Sequence, residues 1–128
     1  LDNHIEVAAT PDEIRQRVRM MVTDPARQYR TVPGHPEVCN VFSLHGFFSA
    51  GEVVQIAADC RSAAIGCVDC KKKFAHNLSD HFASFRERRA SYAADPDYVR
   101  DVLADGARRA TAIADRVLAE VKAAVGLP

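Results

Sequence analysis

The pattern Cys39-x20-Cys60-x6-Cys67-x2-Cys70 contains every cysteine of this 128-residue chain and decides how its centre must fold. Cys67 and Cys70 are separated by two residues, so on a helix their thiols lie about one turn apart and can bind one metal centre. Cys39 and Cys60 supply two further thiols from upstream. The spacing therefore predicts a four-sulfur site that ties three helices together.

The nature of this site stays open on spacing alone. Zinc ribbons combine two short Cys-x-x-Cys loops, whereas this chain has one such pair and two single cysteines. Four thiolates suit either tetrahedral zinc or an iron–sulfur cluster. Unligated core or redox thiols are a second interpretation, because free cysteine packs well in a core. Disulfides are a third, disfavoured because cysteine is only about 3% of the residues, below the ~8–10% of disulfide scaffolds.

Composition limits the class of protein. The length fits one domain, and 48% of the residues are hydrophobic, enough for a modest core. The 17 basic and 17 acidic residues balance, so a nucleic-acid surface would have to come from local clustering. No apolar run approaches the ~18 residues of a membrane span, and no leader is visible. We expect a cytoplasmic protein, and the opening Leu1-Asp2-Asn3, without an initiator Met, indicates a piece of something longer.

Capping signals predict an all-α fold. Thr10-Pro11-Asp12-Glu13 has the form of a capping box with proline at the first helical position, and we expect this helix to end near Thr23-Asp24-Pro25. A second helix is expected from Pro36 to about Gly46, with Cys39 in its first turn. Ile5 and Val7 alternate with polar neighbours and could form a short strand.

The second half of the chain predicts longer helices. Ser49-Ala50-Gly51-Glu52 has the form of another capping box, which would begin a helix that ends at Cys60. A long helix starts at Cys67 and continues to about Ala93, and Asp95-Pro96 begins a last helix that Gly126 closes. One apolar stripe follows the long helix, formed by Cys70, Phe74, Leu78, Phe82 and Phe85.

The lysine run Lys71-Lys72-Lys73 follows directly on the predicted sulfur site. Taken alone it is as compatible with a solvated helix face as with a function. Beside a rigid metal site it favours a phosphate or base contact, which positions a nucleic acid without reading much sequence. Four of the five histidines are candidates for ligands but are not expected to bind the metal, since four thiolates already complete a site: His35, His45, His76 and His81. The chain has no P-loop, no Gly-rich dinucleotide motif and no catalytic triad spacing.

Residues 10–128 resemble the C-terminal part of bacterial tryptophanyl-tRNA synthetase, and four stretches in the expected order carry the likeness. The first is Thr10-Pro11-Asp12-Glu13-Ile14 followed by Val22-Thr23-Asp24-Pro25, and the second is Pro36-Glu37-Val38-Cys39-Asn40-Val41. The third begins at Cys70-Lys71-Lys72 and ends with Phe85-Arg86-Glu87-Arg88-Arg89-Ala90-Ser91-Tyr92. The fourth starts at Asp95-Pro96-Asp97-Tyr98-Val99 and continues through Ala107-Arg108-Arg109-Ala110 to Val125-Gly126-Leu127.

The resemblance implies a division of the chain. Residues 1–9 would be the end of the catalytic Rossmann domain, and residues 10–128 a helical anticodon-binding domain of a class I tryptophan–tRNA ligase. The ATP and Mg²⁺ sites and the tryptophan pocket would belong to the missing N-terminal catalytic domain, so no catalytic residue is expected here. The resemblance also implies a homodimeric parent enzyme whose partner is tRNA. The alternative is a free-standing, zinc-stabilised helical module that binds and regulates another protein.

A subset of this family carries a 4Fe-4S cluster in the same domain. Its gaps of six and two residues match those of Cys60, Cys67 and Cys70, and its first gap is slightly longer than the 20 residues here. The resemblance therefore favours an iron–sulfur cluster, with zinc second, bound by these three cysteines and Cys39 in a structural role near the anticodon. It also makes four residues candidate tRNA contacts: Lys71, Lys72, Lys73 and His76.

Overall fold

The computed structural model describes residues 4–128, and every regular element in that range is helical. It contains six α-helices and one short 3₁₀-helix, so the predicted all-α class is confirmed. The helices are α1 Pro11–Met20, the 3₁₀-helix Pro36–Val38, α2 Asn40–Phe48, α3 Val53–Arg61, α4 Cys67–His81, α5 Ala83–Ala94 and α6 Pro96–Val125.

The chain divides into two compact units, residues 1–87 and residues 88–128. The predicted boundary at residue 9 is not tested by this division. Part of the predicted remnant, residues 1–3, lies outside the described residues. Ile5 and Val7 do not form a strand; Ile5 packs against the core of the first unit and Ala9 is buried in it.

The first unit is built around α4, which packs against α1 on one side and α2 on the other. Phe74 and Leu78 form the buried stripe of α4, as the three- and four-residue spacing predicts. Ile14 and Val18 of α1 are fully buried against it, and Val41 of α2 completes the contact. This core fixes the direction of α4 and therefore the position of its first turn.

The start of α1 confirms the predicted capping box. The Thr10 hydroxyl accepts from the Glu13 backbone N–H at 3.3 Å, and the Glu13 carboxylate accepts from the Thr10 backbone N–H at 2.7 Å. The bond from the Thr10 backbone N–H, together with a bond that the Thr10 hydroxyl donates to the same carboxylate at 2.8 Å, lowers the pKa of Glu13. The helix ends at Met20, earlier than the expected stop near Pro25, because the extended backbone of Met21 ends the helical hydrogen bonding.

The prediction of one continuous helix from Pro36 was wrong. A single 3₁₀ turn ends at Val38, and α2 begins only at Asn40, because Cys39 has an extended backbone (φ −97°, ψ 113°). Cys39 is therefore the N-terminal cap residue of α2 rather than part of its first turn. This extended residue lets the chain turn before its thiol enters the core.

The predicted capping box at Ser49 was also wrong. The cap residue of α3 is Glu52, and it makes no side-chain capping bond. Ser49 is buried, and its hydroxyl instead lies 2.8 Å from both His45 Nδ1 and Asn77 Nδ2. Tertiary partners outcompete the local backbone for this side chain.

The long helix predicted from Cys67 is two helices. It begins at Cys67 as expected, but α4 ends at His81 and Phe82 has a non-helical backbone before α5. In the second unit, α6 begins with the predicted Asp95 cap, whose carboxylate accepts from the Tyr98 backbone N–H at 3.0 Å. Gly126 follows the last helical residue, Val125, as the predicted C-terminal cap, and its φ of 73° favours glycine. Across residues 4–128 no α-helix combines the length and hydropathy needed to cross a bilayer.

Replacing Phe74 by alanine should test whether α4 anchors the first unit. Phe74 is 1% exposed, so Phe74→Ala should lower the free energy of unfolding by about 3–5 kcal/mol through lost burial and a residual cavity. Phe47→Ala is the matched control, because Phe47 is 77% exposed and should cost less than about 0.5 kcal/mol. Denaturant unfolding followed by circular dichroism measures both; equal losses would contradict this core.

Candidate metal centre

The four cysteines come from three different segments and line one small cavity in the first unit. Cys39 precedes α2, Cys60 lies in the last turn of α3, and Cys67 and Cys70 lie in the first turn of α4. Cys39 is buried and the other three are partly buried. The four side chains therefore line one cavity, and their binding of a metal stays a prediction.

The cavity is narrow, about 20 Å³, which is room for about one water-sized sphere. Six further residues line it with the cysteines: Thr23, Asp24, Arg27, Phe42, Ile56 and Ile65. The thiols therefore face each other across a small, mostly apolar space. To bind a metal centre, the cysteine side chains would have to rotate about their Cα–Cβ bonds, which moves their sulfur atoms.

All four cysteines are free thiols. Across residues 4–128, no three histidine, cysteine, aspartate or glutamate side chains are placed to hold one metal ion. A mononuclear tetrahedral site needs all four sulfurs within about 2.3 Å of the same ion. A polynuclear cluster makes a smaller demand, because each cysteine binds a different iron and the sulfurs stay further apart. Four thiols are a donor set that such a cluster uses, and a cavity of about 20 Å³ would have to widen to hold one.

The thiols are held in a low-dielectric environment. Burial first, and then repulsion from the other three thiolates, raises the pKa of Cys70 to about 12. Burial also raises the pKa of Cys60, while the guanidinium of Arg27 opposes this shift. For Cys70, burial and mutual repulsion outweigh the stabilisation of a thiolate expected from the start of α4. Ionising several thiols together thus requires added positive charge, which a metal centre provides.

Arg27 is the cation closest to this site, and sequence reasoning missed it. Its Nη2 donates to the backbone oxygens of Arg30 at 2.9 Å and Ile65 at 2.8 Å, and its Nη1 lies 3.8 Å from Cys60 Sγ. Its buried Nε has no partner among the described residues. Arg27 thus ties the loop before the 3₁₀-helix to the loop before α4. No spacing in the sequence marks this arginine among its neighbours.

Gly34 forms the closest backbone approach to the site. Its N–H donates to the Cys60 carbonyl at 2.9 Å. A Cβ atom at this position would lie 2.6 Å from Cys60 Sγ and 3.2 Å from Arg27 Cδ. A side chain larger than hydrogen therefore cannot be placed here without moving the thiol. A glycine after proline is typical of a turn, and that pattern gives no indication of this contact.

His45 is a second residue that the sequence did not identify. It is fully buried, with Nε2 3.4 Å from Cys70 Sγ and Nδ1 2.8 Å from the Ser49 hydroxyl. Asn77 donates to Ser49 at 2.8 Å and to Glu52 at 3.1 Å, which extends the network to the surface. Burial lowers the pKa of His45. A neutral imidazole therefore supports the Cys70 side chain.

The four candidate tRNA contacts are separated by the structure. Lys71 Nζ donates to the Arg19 backbone oxygen at 2.9 Å, on the side of α1. Lys73 pairs with Glu52 at 3.1 Å, just before α3. The other two are exposed and pair within α4: Lys72 with Asp69 at 3.2 Å and His76 with Asp80 at 3.4 Å. The lysines of this run therefore lie on two sides of α4 and do not form a single basic patch.

These features define a class of protein: a small helical domain whose thiol site lies at the start of a basic helix. No family model matches the chain. It is 42% identical over 97% of its length to a tryptophan–tRNA ligase of Deinococcus radiodurans. It is 36% identical over 98% of its length to the enzyme of Thermotoga maritima and 35% identical over 98% to that of Ralstonia nicotianae.

The chain is therefore homologous to the C-terminal region of bacterial tryptophanyl-tRNA synthetases. It spans less than two fifths of the length of these relatives: 38% of the Deinococcus enzyme, 39% of the Thermotoga enzyme and 32% of the Ralstonia enzyme. The resemblance drawn from the sequence is confirmed at this level.

Gly34→Ala should destabilise the first unit by about 1–3 kcal/mol, because the new methyl group would displace Cys60 and Arg27. Gly46→Ala is the matched control: no atom lies within 4 Å of its added Cβ, and alanine inside α2 should be neutral or stabilising. Urea unfolding of both variants measures the difference. A Gly34 variant as stable as the Gly46 variant would show that this close approach does not constrain the fold.

Proposed function

We propose that this chain is the part of a tryptophan–tRNA ligase that positions the anticodon region of the tRNA. The observation that carries the proposal is the similarity to tryptophan–tRNA ligases over 97% and 98% of the chain. The all-helical fold agrees with a tRNA-binding rather than a nucleotide-activating role. ATP, Mg²⁺ and tryptophan would bind in an N-terminal catalytic domain, and the parent enzyme would be a homodimer.

The proposed mechanism is placement. Anticodon bases are unstacked and can be read on their edges by side chains held at fixed positions. Helix α4 presents cationic and hydrogen-bonding groups immediately after its two cysteines, so a rigid first turn would set their positions. The candidate contacts are Lys71, Lys72, Lys73 and His76, and the two most exposed of them are Lys72 and His76, each 73% exposed.

We propose further that the four thiols bind a 4Fe-4S cluster, with a zinc ion as the alternative. The ligands would be Cys39, Cys60, Cys67 and Cys70, which line one cavity as free thiols. A bound cluster would supply iron–thiolate bonds that join α3, α4 and the segment before α2. Its role would be structural, because the cavity that the four thiols line, about 20 Å³, is too small for a substrate. Arg27 would offset part of the negative charge of a thiolate-bound cluster.

An aminoacylation assay with the full-length protein tests the function. The protein should attach tryptophan, and no other amino acid, to tRNA carrying the tryptophan anticodon in an ATP-dependent reaction. The matched control is the same protein with tRNA whose anticodon has been replaced, which should be charged at least tenfold more slowly if anticodon placement matters. Charging that is independent of the anticodon would contradict the role proposed for this unit.

Cys67→Ser tests the cluster. Anaerobically prepared protein should contain about four iron and four sulfide per chain and absorb near 400 nm, as [4Fe–4S] proteins do. The serine variant should lose iron and absorbance and bind tRNA more weakly, because α4 is no longer tied to its neighbours. Ala64→Ser, at an exposed position of the preceding loop, is the control and should keep both. A content of one zinc per chain and no sulfide would contradict the cluster and support the zinc site.

A further inference from the structure

A groove of about 450 Å³ runs between α1 and α4, on the side of α4 away from Glu52 and α3. Buried Val18 and Ala75 form its floor, where the two helices pack. Val68, 66% exposed, adds an apolar surface beside Cys67. The remaining lining residues are all cationic: Arg15, Arg19, Lys71 and Lys72. The sequence pattern indicated only Lys71 and Lys72 as contacts, because Arg15 and Arg19 precede these lysines by more than 50 residues.

The charge of this groove is only partly neutralised. Arg15 pairs with Asp12, and Lys72 pairs with Asp69 at 3.2 Å, so two acids accompany four cations. Both pairs are exposed, and such pairs contribute little, so their cations can turn toward another anion. Among residues 4–128, the guanidinium of Arg19 forms no ion pair or hydrogen bond. Arg15 and Arg19 are four residues apart and lie one above the other on the same face of α1.

We propose that this groove binds the sugar–phosphate backbone of RNA. This inference rests on the proposed tRNA function. It adds the groove as the binding surface and Arg15 and Arg19 as contacts. Cations on both walls can neutralise successive phosphates of one strand, while the apolar floor accepts the sugar and base faces between them.

The groove also divides the lysine run by function. Lys71 and Lys72 face the groove, whereas Lys73 pairs with Glu52 on the other side of α4. Lys71 Nζ donates to the Arg19 backbone carbonyl at 2.9 Å, so the positive charge of Lys71 lies at the C-terminal end of α1. Arg19 and Lys72 are the better test positions, because replacing them removes no contact between the two helices. The phosphate contacts would position the RNA and carry little sequence information.

The test measures tRNA binding by the full-length protein at several salt concentrations. The double variant Arg19→Gln/Lys72→Gln should weaken binding about tenfold near 0.1 M salt. It should also reduce the slope of log Kd against log salt by about 1.4–1.8, since each lost phosphate contact removes ~0.7–0.9. Arg100→Gln/Arg108→Gln is the matched control, because it removes two exposed helical arginines outside the groove. Its affinity and slope should match the unmodified protein.

The outcomes separate this inference from the proposed function. Unmodified protein that fails to bind tRNA would overturn both. Binding that the groove variant retains, with an unchanged salt slope, would overturn the groove inference alone. Equal losses in the groove and control variants would also overturn it, because they would reflect overall charge. Unchanged helicity and metal content in the groove variant show that folding is not the cause.

Discussion

The packing of α4 against α1 and α2 is the constraint on which the rest of the first unit depends. Burial of Phe74 and Leu78 fixes both the position and the rotation of this helix. Its first turn then has to place Cys67 and Cys70 beside the thiols of Cys39 and Cys60. The same rotation directs Lys71 and Lys72 toward α1 and Lys73 toward Glu52. One apolar contact therefore determines both the thiol site and the basic groove.

The environment of the thiol site opposes ionisation of Cys60 and Cys70. Three partly buried thiols and one buried thiol surround a space of about 20 Å³, and the pKa of Cys70 is raised to about 12. Two neighbouring groups contact the thiols: Arg27 places a positive charge near Cys60, and His45 places a neutral ring nitrogen near Cys70. Gly34 lets the backbone pass directly over Cys60. Such supporting contacts are expected where ligand orientation matters for a metal centre.

Several helix ends were predicted correctly from local signals. The Thr10 capping box, the Asp95 cap, the Gly126 terminus and the start of α4 at Cys67 all follow from neighbouring residues, and all are confirmed. Local reasoning failed where a distant partner takes over a side chain or bends the backbone. Ser49 caps no helix because His45 and Asn77 occupy its hydroxyl, and Cys39 precedes α2 because its backbone is extended.

The sequence by itself indicated that the chain is helical and that it resembles a tRNA synthetase, and it predicted that the four cysteines lie close together. These conclusions rest on residue types and short spacings, which the linear chain already contains. Only the tertiary structure decided which groups accompany the thiols and how the lysine run divides. Arg27, His45, Arg15 and Arg19 carry no motif, and they reach their places because helices distant in sequence bury their apolar faces together.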